Sequence, residues 1–468
     1  MGSGEWEVKS CKRSETSIQH VTPEACEGGR PETKDEGPRT KLLIVQVAGL
    51  GYDFLCRNHS ADWEGLTFTA ADSVFPALTC TVQASFRTAS NPSQHGMVSN
   101  GLWDRRYCKA RFWEQSAGLV EGERIWDDFR KAGKSVGMLF WQQSLGEDVD
   151  MMLSPAPIHK HHGGMIQDCY CQPAGLYDEV CKTLGRKFDL KHYWGPLASY
   201  KASDWIAEAT VAIMDSETTP DLLMTYLPVL DYDLQRFGLD HSRSRKALEH
   251  LLRQLKMLKD CADANGYELL VFGDYALENV TGAPVYPNRE LRKHGLLNVR
   301  TVKGMAYPDF YTSSGFVMVD HEIGHLFVPD ESKISEVRGV IEKLEGISEV
   351  LDKEQQKALG IDHENSGDLV VIADEGSWLA YPWWHDSAEE PDYASHVDIH
   401  NKPGYDPSEL FWGLPLGSVS RRADRIGGTH GRIGDKRKIA WASSFIDGDV
   451  QSLVKLAEKI RANLEKIM

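Results

Sequence analysis

The stretch "KLLIVQVAGLG", from Lys41 to Gly51, decides the fold class of this chain. It is a nearly continuous apolar run that ends in glycines, which is typical of a buried strand of a parallel sheet leading into a loop. Three later runs repeat the pattern: "SVGMLFW" from Ser135, "DLLMTYL" from Asp221 and "YELLVFGD" from Tyr267. Amphipathic stretches with helical spacing lie between these runs. The alternation predicts an α/β domain with a mainly parallel central sheet and helices on both faces.

The sequence changes character after Phe316. "GFVMVDHEIGHLFV" predicts two strands around a polar turn, "SKISEVRGVIEKLEG" an amphipathic helix and "ISEVLDKEQ" a short strand. Together they predict a small α+β insertion at about residues 316–362. "GDLVVIADEG" then predicts another buried strand, and the last segment of the chain predicts a helix. We therefore expect one domain over residues 41–468, preceded by residues 1–40, whose charged and polar composition predicts a disordered tail.

The composition limits the partners of the protein. The formal net charge is −17, and a surface of that sign repels a phosphate backbone, so we expect no nucleic-acid polymer as a partner. No run of about 18 apolar residues occurs, which predicts no membrane span and no membrane partner. The first 40 residues lack the apolar centre of a signal peptide, and the nine cysteines are scattered and odd in number. These features predict a cytoplasmic protein with reduced thiols.

Chemically active side chains follow the predicted strands. In open α/β sheets, ligands bind at the carboxyl ends of the strands, so the residues directly after each strand are the first candidates for a site. A hydroxyl, several carboxylates and an imidazole come together there, and such a set can hold a divalent cation beside a nucleophile. The candidates are Thr79 after "TAADSVFPAL", Asp231, Asp233 and Gln235 after "DLLMTYLP", Asp274 and Tyr275 after "YELLVFG", and His430 in "GGTHG".

The order of these motifs resembles the type I phosphodiesterase/nucleotide pyrophosphatase family of the alkaline phosphatase superfamily. The resemblance extends from about Lys41 to Arg432 and is carried by "LLIVQVAGLG", "FPALTCTVQASFRTASNPSQHGM", "YLPVLDYDLQRFG", "LLVFGDYALE", "GDLVVIADEG" and "GGTHG". It implies an alkaline-phosphatase-like fold and a phosphohydrolase. In that family two metal ions, usually zinc, flank a threonine nucleophile, and Thr79 occupies its place. The resemblance implies that Thr79 attacks phosphorus and that water then hydrolyses the phospho-threonine.

Several ligand positions of the family are changed in this chain. Ala48 stands where an aspartate is usual, and Gln235 and Tyr275 stand where histidines are usual. Alanine cannot bind a metal, and an amide or a phenol binds zinc poorly, so we expect one divalent ion (magnesium, manganese or zinc) rather than two zinc ions. The expected ligands are Asp231, Asp274 and His430, which match the family, with Gln235 and Tyr275 as additional oxygen donors.

Three further residues are candidates for binding the substrate. "VDIHNKPGYD", in a long loop near the C-terminus, contributes His400 and Lys402, and the charge of Lys402 suits a phosphate. Arg236 is positioned to clamp an anion, although a surface ion pair explains it equally well. "DHEIGH", with His321 and His325, and "HKHHGG" are histidine clusters that either replace lost metal ligands or form ordinary hydrogen bonds.

Three interpretations of the site remain open from the sequence. The first is a phosphohydrolase of specialised metabolism that acts on a small phosphate ester or diphosphate through Thr79. The second is a pseudoenzyme that binds a phosphorylated ligand or a protein partner without turnover. The third is a different reaction on the same fold, such as phosphoryl or sulfuryl transfer, or metal-free chemistry at "TCT" in which Cys80 reacts instead of Thr79. A thiolate at a helix N-terminus has a lowered pKa, whereas a buried structural thiol is the alternative. Trp383, Trp384 and Trp412 either wall the pocket or pack in a core. The oligomeric state stays open.

Overall fold

A computed structural model describes residues 41–161 and 164–468. The predicted tail, residues 1–40, lies outside the described residues, as does His162 of the cluster "HKHHGG". Two sheets of eight and four strands organise the rest. Their strands are, in chain order, β1 (Lys41–Val47), β2 (Thr69–Ala71), β3 (Val136–Leu139), β4 (Met151–Pro155), β5 (Cys169–Gln172), β6 (Leu222–Leu227), β7 (Tyr267–Gly273), β8 (Phe316–Asp320), β9 (Ile323–Phe327), β10 (Ile347–Leu351), β11 (Leu369–Ala373) and β12 (Ile439–Ser443).

Helices and short ribbons complete the described secondary structure. The α-helices are α1 (Tyr52–Asn58), α2 (Thr79–Thr88), α3 (Pro92–His95), α4 (Asp127–Lys131), α5 (Leu176–Leu184), α6 (Tyr200–Met214), α7 (Val229–Phe237), α8 (Ser242–Ala264), α9 (Pro287–Lys293), α10 (Ile334–Ile341), α11 (Lys353–Ala358) and α12 (Leu453–Lys466). The two-stranded ribbons are Asp62–Trp63 with Leu66–Thr67, Gly101–Asp104 with Lys109–Phe112, Ile158–His159 with Met165–Ile166, Glu278–Asn279 with Gly428–Thr429, and Val299–Val302 with Met305–Pro308.

The large sheet is built around β1. Its strand order is β5-β4-β3-β6-β1-β7-β12-β2, and the five neighbours from β4 to β7 run parallel. Leu43 of β1 lies opposite Leu223 of β6 on one side and Leu269 of β7 on the other. The outer strands β5, β12 and β2 are antiparallel to their neighbours. The predicted α/β architecture with a mainly parallel sheet is therefore confirmed.

The main core lies between this sheet and its helices. Every residue of β1 from Leu42 to Val47 is buried, as the continuous apolar run predicts for a central parallel strand. Phe86 of α2 stacks on Phe272 of β7 with ring centroids 4.4 Å apart, which fixes α2 over the centre of the sheet. The long helix α8 buries leucines at helical spacing: Leu248, Leu251, Leu255 and Leu258.

The small sheet has the order β8-β9-β11-β10 and is antiparallel throughout. The strand "GDLVVIADEG" is present as β11, but it pairs within this small sheet, so the sheet extends beyond the predicted limit near residue 362. A two-residue turn, His321 and Glu322, joins β8 to β9. His321 has a φ of +59°, in the left-handed region that hairpin turns of this length usually give to glycine. Among the described residues, no helix is long and apolar enough to cross a bilayer.

Candidate active site

Thr79 is the first residue of α2, at the end of the large sheet where β1, β6 and β7 end. The residue before it, Leu78, has no side chain that can cap the helix, so the first turn of α2 offers backbone N–H groups to an anion. The amide oxygen of Asn100 accepts the N–H of Cys80 at 3.0 Å and fixes the start of the helix. Thr79 is 4% exposed, and its hydroxyl donates to the hydroxyl of Tyr275 at 3.4 Å.

Asp274 directly follows β7 and joins two loops. Its Oδ1 accepts the N–H of Gly49, after β1, at 2.9 Å and the N–H of Tyr275 at 2.8 Å. Its Oδ2 accepts from Gln46 at 3.4 Å. Burial raises the pKa of Asp274 well above its usual range, in spite of these hydrogen bonds. Because β1 and β7 are parallel neighbours, their carboxyl ends bring these loops to the same edge as Thr79.

A chain of side-chain hydrogen bonds crosses the site. The hydroxyl of Tyr275 donates to Oδ1 of Asp231 at 3.0 Å, and the amide of Gln235 donates to Oδ2 of the same carboxylate at 2.6 Å. The hydroxyl of Tyr405 in turn donates to the amide oxygen of Gln235 at 2.9 Å. Asp231 and Gln235 meet because they lie four residues apart on α7. Burial raises the pKa of Asp231, while Gln235 acts in the opposite direction.

His430 lies against Tyr275. Their rings stack with centroids 3.5 Å apart and an interplanar angle of 4°. Nδ1 of His430 donates to the carbonyl of Ala77 at 2.8 Å, which leaves Nε2 3.9 Å from Oδ1 of Asp231. Burial, with His321 adding to it, lowers the pKa of His430 well below its usual value, so the imidazole is neutral. Gly428 allows the approach of this loop, because a Cβ there would lie 2.4 Å from the carbonyl oxygen of Leu234.

These side chains do not fit a metal ion as they are arranged. Both oxygens of Asp231 accept hydrogen bonds from Tyr275 and Gln235, the carbonyl oxygen of Gln235 is bonded to Tyr405, and Asp274 accepts from three donors. Within residues 41–161 and 164–468, no three or more His, Cys, Asp and Glu side chains are grouped so as to hold a metal. The expected ligands Asp231, Asp274, His430, Gln235 and Tyr275 therefore lie in one region. Asp231, Gln235 and Tyr275 hydrogen-bond to one another, whereas Asp274 accepts from Gln46 and two backbone N–H groups and His430 donates to Ala77.

His321, which the motif "DHEIGH" offers either as a replacement for a lost metal ligand or as an ordinary hydrogen-bonding group, lies within the site. Its ring stacks on Tyr405 with centroids 3.8 Å apart and lies at the same distance from the ring of His430. Its Nδ1 lies 2.8 Å from Oδ1 of Asp320, whereas its buried Nε2 has no hydrogen-bond partner in the described part of the chain. The signal for this arrangement is "DHEIGH", where a polar pair sits in a hairpin turn between two buried strands.

The hairpin that carries His321 also holds the loop of His430. The N–H of Glu322 donates to the carbonyl of His430 at 3.1 Å, and the carboxylate of Glu322 accepts the N–H of Arg432 at 2.8 Å. Burial raises the pKa of Glu322 to about 8, although the guanidinium of Arg437, 3.0 Å away, opposes this shift. The small sheet thus fixes one wall of the site of the large sheet.

The three expected substrate-binding residues are engaged elsewhere. Arg236 donates to the carbonyls of Leu410 at 3.0 Å and Ala198 at 2.8 Å. Lys402 is buried between Asp406, at 2.8 Å, and Glu409, at 2.6 Å. Burial alone would lower the pKa of Lys402, but the two carboxylates outweigh it and raise this pKa. Nδ1 of His400 lies 3.0 Å from the carbonyl oxygen of Phe112. Each of the three groups therefore has partners within the fold.

The structure also gives the surroundings of the cysteine, tryptophan and histidine side chains that the sequence singles out. Burial raises the pKa of the Cys80 thiol to about 12, which favours a structural thiol over a reactive one. Trp383 and Trp384 pack in the core of the small sheet. Trp412 is 53% exposed and lines a cleft outside the site. His95 of "PSQHG" is buried against Ser85, with Nε2 2.8 Å from the hydroxyl, and so supports α2 from beneath.

Comparison with known families gives this arrangement a context. The sequence profile of the family described as Type I phosphodiesterase / nucleotide pyrophosphatase matches residues 44–406, which is most of the chain. The chain belongs to this family. The match includes Thr79, Asp231, Gln235, Asp274 and Tyr275 and ends before His430. No curated protein sequence matches the chain significantly.

Solved structures of distant relatives share the fold. Phosphonoacetate hydrolase from Sinorhizobium meliloti, in complex with phosphonoformate, is 15% identical, with a TM-score of 0.59 over 91% of this chain and 96% of its own. Murine ectonucleotide pyrophosphatase/phosphodiesterase 5 is 14% identical, with a TM-score of 0.56 over 91% of this chain and 95% of its own. An inactive variant of the murine protein in complex with AMP matches equally well. At these identities the likeness confirms the alkaline-phosphatase-like fold.

Proposed function

We propose that this protein hydrolyses a small phosphate ester or diphosphate and that Thr79 is the nucleophile. The observation that carries the proposal is the line of hydrogen bonds from Thr79 through Tyr275 to Asp231 at the N-terminus of α2. A hydroxyl at that position has both a proton acceptor and a phosphate-binding helix end beside it. Membership of the type I phosphodiesterase/nucleotide pyrophosphatase family supports this class of reaction.

The proposed reaction has two steps. Oγ1 of Thr79 attacks phosphorus, so that a new oxygen–phosphorus bond forms as the bond to the leaving oxygen breaks. The proton of Thr79 passes to the hydroxyl of Tyr275, which gives its own proton to the carboxylate of Asp231. The backbone N–H groups at the start of α2 stabilise the charge on the phosphoryl oxygens. Water then hydrolyses the phospho-threonine and restores Thr79.

No step of this reaction passes through a metal ion, because hydrogen bonds within the protein hold the side chains at the expected ligand positions. The single divalent ion that the sequence favours does not fit this arrangement, whereas a cytoplasmic location and a role in specialised metabolism stay predictions. The substrate we propose is a small phosphorylated molecule, in keeping with a site enclosed by Tyr275, His321 and Tyr405.

The test is hydrolysis by variants of two neighbouring threonines. We expect wild-type protein to hydrolyse at least one of p-nitrophenyl phosphate, bis-p-nitrophenyl phosphate and a nucleoside diphosphate. Thr79→Ala should lower kcat by at least about 100-fold, because the nucleophile is removed. Thr81→Val is the matched control, since its hydroxyl has no hydrogen-bond partner among the described residues. Mass spectrometry of quenched wild-type protein should find phosphate on the peptide that contains Thr79. Full activity of Thr79→Ala would overturn the mechanism.

A second candidate function is binding of a phosphorylated ligand without turnover. The observation that favours it is the closure of the site: Thr79, Asp231, Gln235, Tyr275 and His430 are all buried. Because these side chains are buried, catalysis requires a neighbouring segment to move so that the substrate can reach Thr79. If wild type and Thr79→Ala hydrolyse the panel equally slowly yet both bind one of its members, this second function is the correct one.

A further inference from the structure

A second cleft lies on the other side of α7 from Thr79. Asp231 and Gln235 of this helix face the site, whereas Tyr232 and Arg236, one position further along, line the cleft. The cleft has a volume of about 950 Å³ and is bounded by the start of α6, α7, the first half of α8 and residues 410–412. It is therefore a separate cavity, large enough for a small organic ligand.

The charge of this cleft is opposite to that of the protein. Among the described residues, the carboxylates that line it are Asp233 and Glu249, within a chain whose formal net charge is −17. The cationic side chains that line it are Lys201, Arg236, Arg243, Lys246, Arg253 and Arg425. Such a local excess of positive charge in a low-dielectric cleft attracts anions against the field of the whole molecule.

Lys201, Arg243 and Lys246 are available to a ligand. The other three cations have partners within the fold: Arg236 donates to backbone carbonyls and lies 3.6 Å from Asp233, Arg253 donates to Nδ1 of His250 at 2.9 Å, and Arg425 donates to the carbonyl of Trp412 at 3.2 Å. In the described part of the chain, no ion pair is formed by Lys201, Arg243, Lys246 or Arg425. All four side chains are exposed, so their positive charge is directed to solvent and to the cleft rather than neutralised within the fold.

Aromatic rings lie beside the charges. The guanidinium of Arg243 lies over the ring of Phe237 at 4.9 Å, and that of Arg425 over Phe411 at 4.4 Å. Stacking holds the guanidinium of Arg243 in place with its N–H groups available to a phosphate or carboxylate, whereas one N–H of Arg425 already donates to the carbonyl of Trp412 at 3.2 Å. Tyr200, 46% exposed, and Trp412, 53% exposed, add ring faces on which a planar group can stack.

We propose that this cleft binds an organic phosphate that carries an aromatic ring. The phosphate pairs with Arg243 and Lys246, and the ring stacks against the aromatic wall that includes Trp412. This site is distinct from Thr79 and does not depend on hydrolysis there, since no residue of the Thr79 hydrogen-bond chain lines the cleft.

The experiment is isothermal titration calorimetry of the full chain with ADP, in a Thr79→Ala background that prevents turnover. Adenosine supplies the ring without the charge, and inorganic diphosphate supplies the charge without the ring. We expect ADP to bind at one site per chain, and each fragment to bind at least about tenfold more weakly, because it lacks one half of the interaction.

Two double variants locate the binding. Arg243→Gln/Lys246→Gln removes two exposed cations of the cleft and should weaken ADP binding by at least about tenfold. Lys182→Gln/Lys187→Gln removes the same charge from an exposed region outside the cleft and should leave binding unchanged. The proposal is overturned if ADP does not bind at about 1 mM, or if it binds the cleft variant as tightly as the control variant. The second outcome would place the nucleotide at the Thr79 site or elsewhere.

Discussion

The phenol ring of Tyr275 lies flat on the imidazole of His430, with centroids 3.5 Å apart and an angle of 4° between the planes. The same phenol bonds through its hydroxyl to both Thr79 and Asp231. One side chain thus joins the proposed nucleophile, a buried carboxylate and the histidine of "GGTHG". A histidine at this position would present a lone pair to a metal, whereas a tyrosine presents a hydroxyl that both accepts and donates a hydrogen bond.

Tyr275→Phe tests the hydroxyl separately from the ring. The stack on His430 should persist, but Asp231 loses a donor and Thr79 loses its acceptor. We expect kcat to fall by about 100-fold or more. We also expect the free energy of unfolding to fall by about 1–3 kcal/mol, because a buried carboxylate oxygen is left unpaired. Steady-state kinetics and urea unfolding measure the two effects. An unchanged kcat would show that the proton of Thr79 leaves by another route.

Ala48→Asp/Gln235→His/Tyr275→His restores the usual residues of the family at three positions. We expect the triple variant to retain zinc through purification, because it regains an aspartate and two histidines around Asp231, Asp274 and His430. Wild-type protein should hold less than one ion per chain, since hydrogen bonds within the protein hold the side chains at the ligand positions. Elemental analysis of protein purified without added metal or chelator measures both, with Asp274→Ala in wild type as the control. One ion in wild type, lost in Asp274→Ala, would instead support the single-ion site that the sequence predicts.

The elements around this site could be predicted to different extents. The apolar runs of β1, β6 and β7 specify buried parallel strands, and parallel strands place Asp231 and Asp274 at one edge without any side-chain information. The sheet to which β11 belongs depends on pairing between segments far apart in the chain, so its apolar run alone could not assign it. Sequence identifies Gln235 and Tyr275 as departures from the family. Gln235 and Tyr275 can either bind an ion or hydrogen-bond to other side chains. Their contacts with Tyr405 and Asp231 decide between these roles, and only the fold creates those contacts.

The same limit applies to the charged candidates. Lys402 was expected to meet a phosphate, but Asp406 and Glu409 lie within hydrogen-bond distance because the loop folds back on itself. The sequence leaves Arg236 open between an anion clamp and a surface ion pair, but carbonyls of two other segments surround its guanidinium. A sequence motif gives the type of group at a position, and the partners that compete for it come from distant segments.

The free energy of unfolding should depend on His95 between pH 3 and pH 6.5. Burial lowers the pKa of His95 from 6.5 to about 3 in the folded protein, so the folded state holds this ring neutral while the unfolded state protonates it. The contribution of the neutral His95 ring to the free energy of unfolding is fully present above about pH 6.5. It is lost as pH falls towards 3, by about 1.4 kcal/mol per pH unit. In His95→Asn the amide oxygen can still accept the N–H of Met97, as Nδ1 does at 3.1 Å.

Urea unfolding of wild type and His95→Asn at pH 4, 5, 6 and 7 measures this dependence. We expect the difference in stability between the two proteins to shrink as pH falls. His325, whose pKa burial lowers to about 4, should leave part of the slope in the variant. A difference that stays constant from pH 7 to pH 4 would mean that His95 does not titrate on unfolding.

His321 tests whether a left-handed backbone at the site is strained. At a φ of +59°, glycine carries no Cβ penalty, whereas alanine costs about 1 kcal/mol. Both substitutions remove the ring from Tyr405 and His430, so the comparison between them isolates the backbone. We expect His321→Gly to be more stable than His321→Ala by about 1 kcal/mol in urea unfolding. Glu336, exposed within α10, is the matched control, and there alanine should be more stable than glycine by about 1 kcal/mol. If alanine were more stable than glycine at position 321 as well as at position 336, residue 321 would not be held in the left-handed region in solution.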